Sequence, residues 1–272
     1  MSTIAIPVRQ PSPARHLLGD SAALLRRGLV RLVRYPSMTL LLVGMPVLFL
    51  LLFVYVFGGT LGNGLATPGG KDAYLVYVVP GVVLMAIAAG GQGTAISVAM
   101  DMREGIVARL RTMAIPRASI LGAHAVTSVV QCVVCVVASL GVAFAIGYRA
   151  HGGVPGVLGA LAVVVGISFA LTWLCVALGM VSDSVETASN LPMPLTILPF
   201  LSSGFVPTDS MPAGLRWFAE YQPYTPFIET VRALLDGTAP GRNGWLALGW
   251  FVVITGGSFV WSLRLFDRSS TR

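Results

Sequence analysis

SMTLLLVGMPVLFLLLFVYVF, residues 37–57, contains no Asp, Glu, Lys or Arg. At about 1.5 Å of rise per residue it makes a helix about 31 Å long, the thickness of a bilayer's hydrocarbon core. The run is repeated along the chain. Residues 35–70, 73–100, 118–148, 150–182, 187–208 and 243–263 are each free of acidic and basic side chains, and together they hold 171 of the 272 residues. Charged residues make up 11% of the sequence and hydrophobic ones 55%, whereas a soluble domain carries about a quarter charged. An ordinary soluble enzyme is excluded. The pattern predicts an all-α polytopic membrane protein with six transmembrane helices at about 37–57, 74–99, 120–147, 154–181, 187–207 and 244–266.

The net charge of +7 follows from where the basic residues sit. Arg9, Arg15, Arg26, Arg27, Arg31 and Arg34 precede the first span. Arg103, Arg109, Arg111 and Arg117 lie between the second and third, and Arg264, Arg268 and Arg272 at or beyond the end of the sixth. With the N-terminus inside, cytoplasmic segments hold 13 basic residues and outer segments five (Lys71, Arg149, Arg216, Arg232, Arg242), the expected positive-inside bias. Both termini are then cytoplasmic, and no nucleic-acid patch is needed. No cleavable leader is expected, because the stretch beyond the first apolar run offers no A-x-A site.

Residues 1–36 read as a cytoplasmic segment. Within it, 14–35 place Leu17, Leu18, Leu24, Leu25, Leu29, Leu32 and Val33 on one stripe and Arg27, Arg31 and Arg34 on the other, the pattern of an amphipathic helix lying in the inner interface against lipid phosphates. Residues 37–266 form the six-span domain and 267–272 a cytoplasmic tail. GGTLGNGLATPGG after the first span reads as an outer loop, and AAGGQGTA, residues 88–95, as a surface that another helix can approach closely. The fifth apolar segment carries Pro192, Pro194, Pro199 and Pro207. Such breaks persist in a bilayer only where protein or a water-filled cavity satisfies the freed carbonyls, so this span is expected in the interior. Residues 208–243 mix Trp217, Phe218, Tyr221, Tyr224 and Phe227 with charges, as re-entrant helices at the outer interface would.

No catalytic, metal or cofactor residues emerge. Cys132, Cys135 and Cys175 fall inside spans, where a disulfide framework has no use. Residues 64–72, GLATPGGKD, miss the phosphate-loop spacing and put Asp after the Lys. Ser168 is followed by Phe169 where an intramembrane protease motif needs glycine, and His124 sits near the cytoplasmic end of its span. Ion-coupled transport needs an ionisable relay at membrane depth, whereas every carboxylate here falls in a loop or at a helix end.

What remains is the cytoplasmic hairpin MDMREGIVARLRTMAIPRASILGAH, residues 100–124. It opens on Arg103, Glu104 and Gly105, continues through an amphipathic turn with Ile106, Val107, Leu110 and Met113, and stops at Pro116. Such a helix suits a groove on a cytoplasmic partner. The stretch R-E-G-x-x-x-x-L-x-x-x-x-I-P-R, residues 103–117, resembles the coupling-helix region of permeases of type-2 bacterial ATP-binding-cassette exporters. Gly204, Pro212, Pro223 and Arg232 fall at the spacings of that family's signature, and QPYTPFIETVR, residues 222–232, resembles its actinobacterial daunorubicin-resistance subgroup. Tyr224 and Pro226 depart from the general pattern.

The resemblance implies a half-permease that pairs with a second copy or a paralogue and with two cytoplasmic ATPase subunits. ATP and magnesium would be bound by those partners. The implied cargo is a hydrophobic or amphipathic compound such as an antibiotic, drug or lipid, moved through a midplane cavity. Met85, Met193, Phe200 and Phe205 are the candidate cavity residues, and Arg103, Glu104, Gly105, Leu110, Met113 and Pro116 the candidate coupling residues. Two other readings stay open from the residues: an ion-coupled secondary exporter, and a structural membrane subunit that transports nothing.

Overall fold

The computed structural model describes residues 36–65, 69–103 and 117–268. Among them the chain is helical and contains no strand. That is one of the two ways a chain can satisfy its backbone in hydrocarbon, the other being a closed barrel. Five helices are long and apolar enough to cross a membrane: Leu42–Asn63, Gly70–Arg103, Ala125–Ala145, Gly153–Val181 and Gly241–Leu265. The expected interface helix over 14–35 and the coupling hairpin beyond Arg103 lie outside the described residues.

The first crossing is α1 (Pro36–Leu52), a π-helical turn (Phe53–Phe57) and α2 (Gly58–Asn63) run together. Its continuation into α2 corrects the reading of GGTLGNGLATPGG as loop over its first six residues, 58–63. Glycine lowers helix propensity, but here it removes side chains that would collide with the next helix. A Cβ on Gly62 would sit 1.8 Å from the carbonyl oxygen of Gly70. Tertiary contact overrides propensity, and the Lys71 ammonium, 3.7 Å above the Tyr55 ring, reinforces the join.

The second crossing, α3 (Gly70–Arg103), is the pillar of the bundle. In its most apolar stretch 78% is buried, against 22% for the first crossing and 17% for the last. It packs against α1, α4 (Arg117–Ala145) and α5 (Gly153–Val181). The glycine-rich stretch admits two neighbours at once. Cβ atoms on Gly90 and Gly91 would lie 2.6 Å from Cys132 Sγ and 2.9 Å from Cys175 Sγ. The three cysteines are free and buried, and Cys132 and Cys175 fill these grooves as small packing side chains.

The fifth apolar segment, expected as a proline-broken span over 187–207, is not one membrane-length helix. It divides into α6 (Val185–Asn190), α7 (Met193–Ile197) and a 3-10 turn (Leu198–Leu201). Ser184 caps α6, its Oγ accepting from Thr187 N at 3.0 Å. Pro192 is the N-cap residue of α7, and Pro194 and Pro199 stand within the first two positions of α7 and of the 3-10 turn. Proline is welcome there because its missing N–H would be unpaired anyway. The α-helical ladder stops before Pro192 and gives way to the 3-10 turn before Pro199.

Two short helices follow, α8 (Ala213–Tyr221) and α9 (Tyr224–Leu235), before α10 (Gly241–Arg268) crosses back. Helix α9 is tied to the start of α5, where Gly152 N donates to Leu235 O at 2.7 Å. Trp250 Nε1 donates to Tyr221 O at 3.1 Å and ties α10 to α8. Trp217 and Trp245 are 68% and 77% exposed at this end of the bundle, as indoles in an interfacial belt are.

Candidate functional site

The break after Leu201 leaves backbone groups of residues 202–205 without helical partners inside the bundle, and buried groups of this kind must be satisfied elsewhere. Two tyrosines of α3, one turn apart, reach them. Tyr74 OH donates to Phe205 O at 2.9 Å, and Tyr77 OH donates to Ser203 O at 2.7 Å. Arg232, on α9, completes the arrangement. Its Nη2 donates to both Ser203 O and Tyr77 O at 3.0 Å, its guanidinium lies 4.1 Å from the Tyr77 ring centroid, and its Nη1 pairs with Glu229. Thr225 Oγ1 accepts from Ser203 N at 3.2 Å. A hydrogen bond from a charged donor is worth about 1.5 to 3 kcal/mol, so Arg232 is the strongest single tie between α3, the broken segment and α9.

Gly204 sits within this turn because the backbone of α3 comes directly against it. A Cβ on Gly81 would lie 2.6 Å from Gly204 O, and one on Gly204 would lie 3.1 Å from Gly81 Cα. Pro212 and Pro223 are the N-cap residues of α8 and α9. The four signature residues thus all serve one construction, the turn and the two short helices that brace it. Tyr74 and Tyr77 belong to it equally, and sequence reasoning missed them. A tyrosine in an apolar run signals a polar tip seeking a partner, but its partners here are 131 and 126 residues away.

Of the candidate cavity residues, Phe200 and Phe205 come together, their rings stacked with centroids 4.8 Å apart. Phe49 lies 5.4 Å from Phe200 and Phe53 lies 4.7 Å from Phe205, forming an aromatic wall between the first crossing and the broken segment. Met85 is buried in the same core, while Met193 is 53% exposed on α7. Of the coupling residues, Arg103 ends α3. Glu104, Gly105, Leu110, Met113 and Pro116 lie outside the described residues.

A cleft of about 580 Å³ opens beside the turn. The start of α3 (Ala73, Val76, Tyr77) forms one wall, and Pro207, Asp209 and Ser210 another. The end of α9 supplies Arg232 and Asp236. Among the described residues no group of three or more His, Cys, Asp or Glu side chains is placed to hold a metal ion.

Comparison with known proteins agrees with this architecture. Residues 21–235 match the family model described as ABC-2 type transporter. The chain is 29% identical over 215 residues to a daunorubicin resistance ABC transporter permease protein of Streptomyces coeruleorubidus, covering 78% of this chain and 74% of the relative. It is also 29% identical over 189 residues to a probable doxorubicin resistance ABC transporter permease protein of Mycobacterium tuberculosis, covering 69% of this chain and 67% of that relative. The matched region takes in the first four crossings, the braced turn and both short helices, and the chain belongs to the ABC-2 type transporter family.

Proposed function

We propose that this chain is the transmembrane subunit of an exporter that moves a hydrophobic or amphipathic compound, an antibiotic, drug or lipid, out across the cytoplasmic membrane. The family match over residues 21–235 carries this reading, and the drug-resistance names of two relatives point to the cargo. In this reading the broken fifth segment is the fifth of six crossings, both termini are cytoplasmic, and the chain pairs with a second permease. Two ATPase subunits bind ATP and magnesium and dock on the hairpin that starts at Arg103.

Closure of the ATPase pair pushes on that hairpin and, through α3, on the turn clamped by Tyr74, Tyr77 and Arg232. A ligand or nucleotide shifts such an equilibrium only by its differential affinity for the two states. The broken segment suits this work because its joints at Leu191 and Ser202 bend without disrupting a continuous helical ladder. The aromatic wall of Phe49, Phe53, Phe200 and Phe205, with Met85 and Met193, offers polarizable apolar contacts to a cargo of varied shape.

Reconstituted vesicles test the assignment. Uptake into inverted vesicles is expected to require ATP and the partner ATPase, and to survive collapse of the proton gradient. Transport driven by a pH gradient without the ATPase would assign the chain to ion-coupled export instead.

A further inference from the structure

We propose that the cleft between the start of α3 and the end of α9 is a binding site for an amphipathic monocation, with the Asp236 carboxylate as its counter-ion. The argument rests on charge matching. Arg232 is paired with Glu229, and Arg216 is shared between Asp209 and Glu220. Among the described residues no cation comes within ion-pairing distance of Asp236, and Arg232 and His151 act on it only from farther off, so within those residues the cleft's negative charge is left unmatched. Asp236 is also the C-cap residue of α9, where the helix dipole disfavours an anion. A carboxylate so placed gains from any cation that enters.

The rest of the cleft fits the apolar part of such a ligand. Ala73, Val76 and Pro207 present hydrocarbon, and Tyr77 an aromatic ring whose one face is taken by Arg232. A volume of about 580 Å³ is that of a drug-sized pocket. Desolvation raises the Asp236 carboxyl above its ordinary range, a shift that Glu229 reinforces and that Arg232 and His151 oppose. Such a group favours a desolvated cation over water. The site lies at the end of the bundle bearing α8 and α9, beside the braced turn. As a stop on an export route it rests on the permease reading, whereas as a binding site it stands without it.

The test uses the full chain in phosphatidylcholine nanodiscs, with no ATPase and no ATP, titrated by fluorescence against empty discs. The probes are dansylcadaverine, a primary amine, and its neutral N-acetyl derivative. The chain is expected to bind the amine about tenfold more tightly than the neutral probe, as for one charge-assisted contact. Asp236→Asn should erase that preference and leave the neutral affinity unchanged, while Asp209→Asn, whose partner is Arg216, should keep it. Val76→Trp, which fills the cleft, should weaken both probes. In the wild-type chain the preference should fade as pH falls toward the raised range of Asp236, the amine staying charged throughout. Equal affinity for the two probes, or a preference that survives Asp236→Asn, would overturn the site. Neither outcome bears on whether transport uses ATP, so the two readings fail separately.

Discussion

At the scale of single residues, the contact between Gly81 and Gly204 decides how closely α3 can approach the broken segment. A methyl on Gly81 meets backbone at 2.6 Å, and backbone cannot swing aside. A methyl on Gly204 meets first the Cδ1 of Ile228 at 2.9 Å, the far end of a flexible side chain. Gly81→Ala is therefore expected to destabilise the bundle by about 1 to 3 kcal/mol, the usual range for overpacking, and Gly204→Ala by less. Thermal unfolding in detergent checks the order; a Gly81→Ala variant as stable as the wild type would show that the two backbones do not touch. Gly204 and Arg232 were legible from the family resemblance, whereas Gly81 was not. It sits among other small residues of an apolar run, and nothing local marks which of them meets another backbone.

Elements were legible where one physical requirement dominates. A charge-free run long enough to cross hydrocarbon can hardly be anything but a helix, and the five long helices follow from that alone. The reading failed where two requirements compete. In GGTLGNG the helix-weakening effect of glycine lost to the close packing it permits, and in the fifth segment the proline breaks were visible but not the separate helices they start. The proposed coupling hairpin belongs to this scale too. If Leu110 and Met113 fill a groove on the ATPase, a buried apolar anchor contributes about 1 to 3 kcal/mol, so Leu110→Asp should weaken docking about tenfold. Co-purification of the ATPase measures this for Leu110→Asp and Glu104→Ala beside Asp72→Asn, an exposed residue at the opposite end of α3. Hairpin variants that retain the ATPase as well as Asp72→Asn does would remove the hairpin from the coupling path.

For the whole molecule, the charge asymmetry predicts the orientation. In a background without native cysteines, an impermeant thiol reagent applied from outside should label Leu65→Cys and spare Arg109→Cys. The reverse pattern would invert the topology and put the cation cleft on the cytoplasmic side. The peripheral helices fit the same picture. Leu48, Val252 and Val253 are 57%, 60% and 63% exposed on the first and last crossings, and a bilayer or a second permease covers such faces without penalty.

The seating of Cys132 and Cys175 in the grooves at Gly90 and Gly91 also limits how the sequence can drift. Each thiol and its glycine share one small volume, so bulk gained on α3 at position 90 has to be given up on α4 at position 132, and bulk gained at 91 on α5 at 175. Single replacements on either side close or empty the groove, while exchanges such as Gly90→Ala with Cys132→Ala keep it filled. Three helices far apart in the chain are thus bound to change together, two positions at a time.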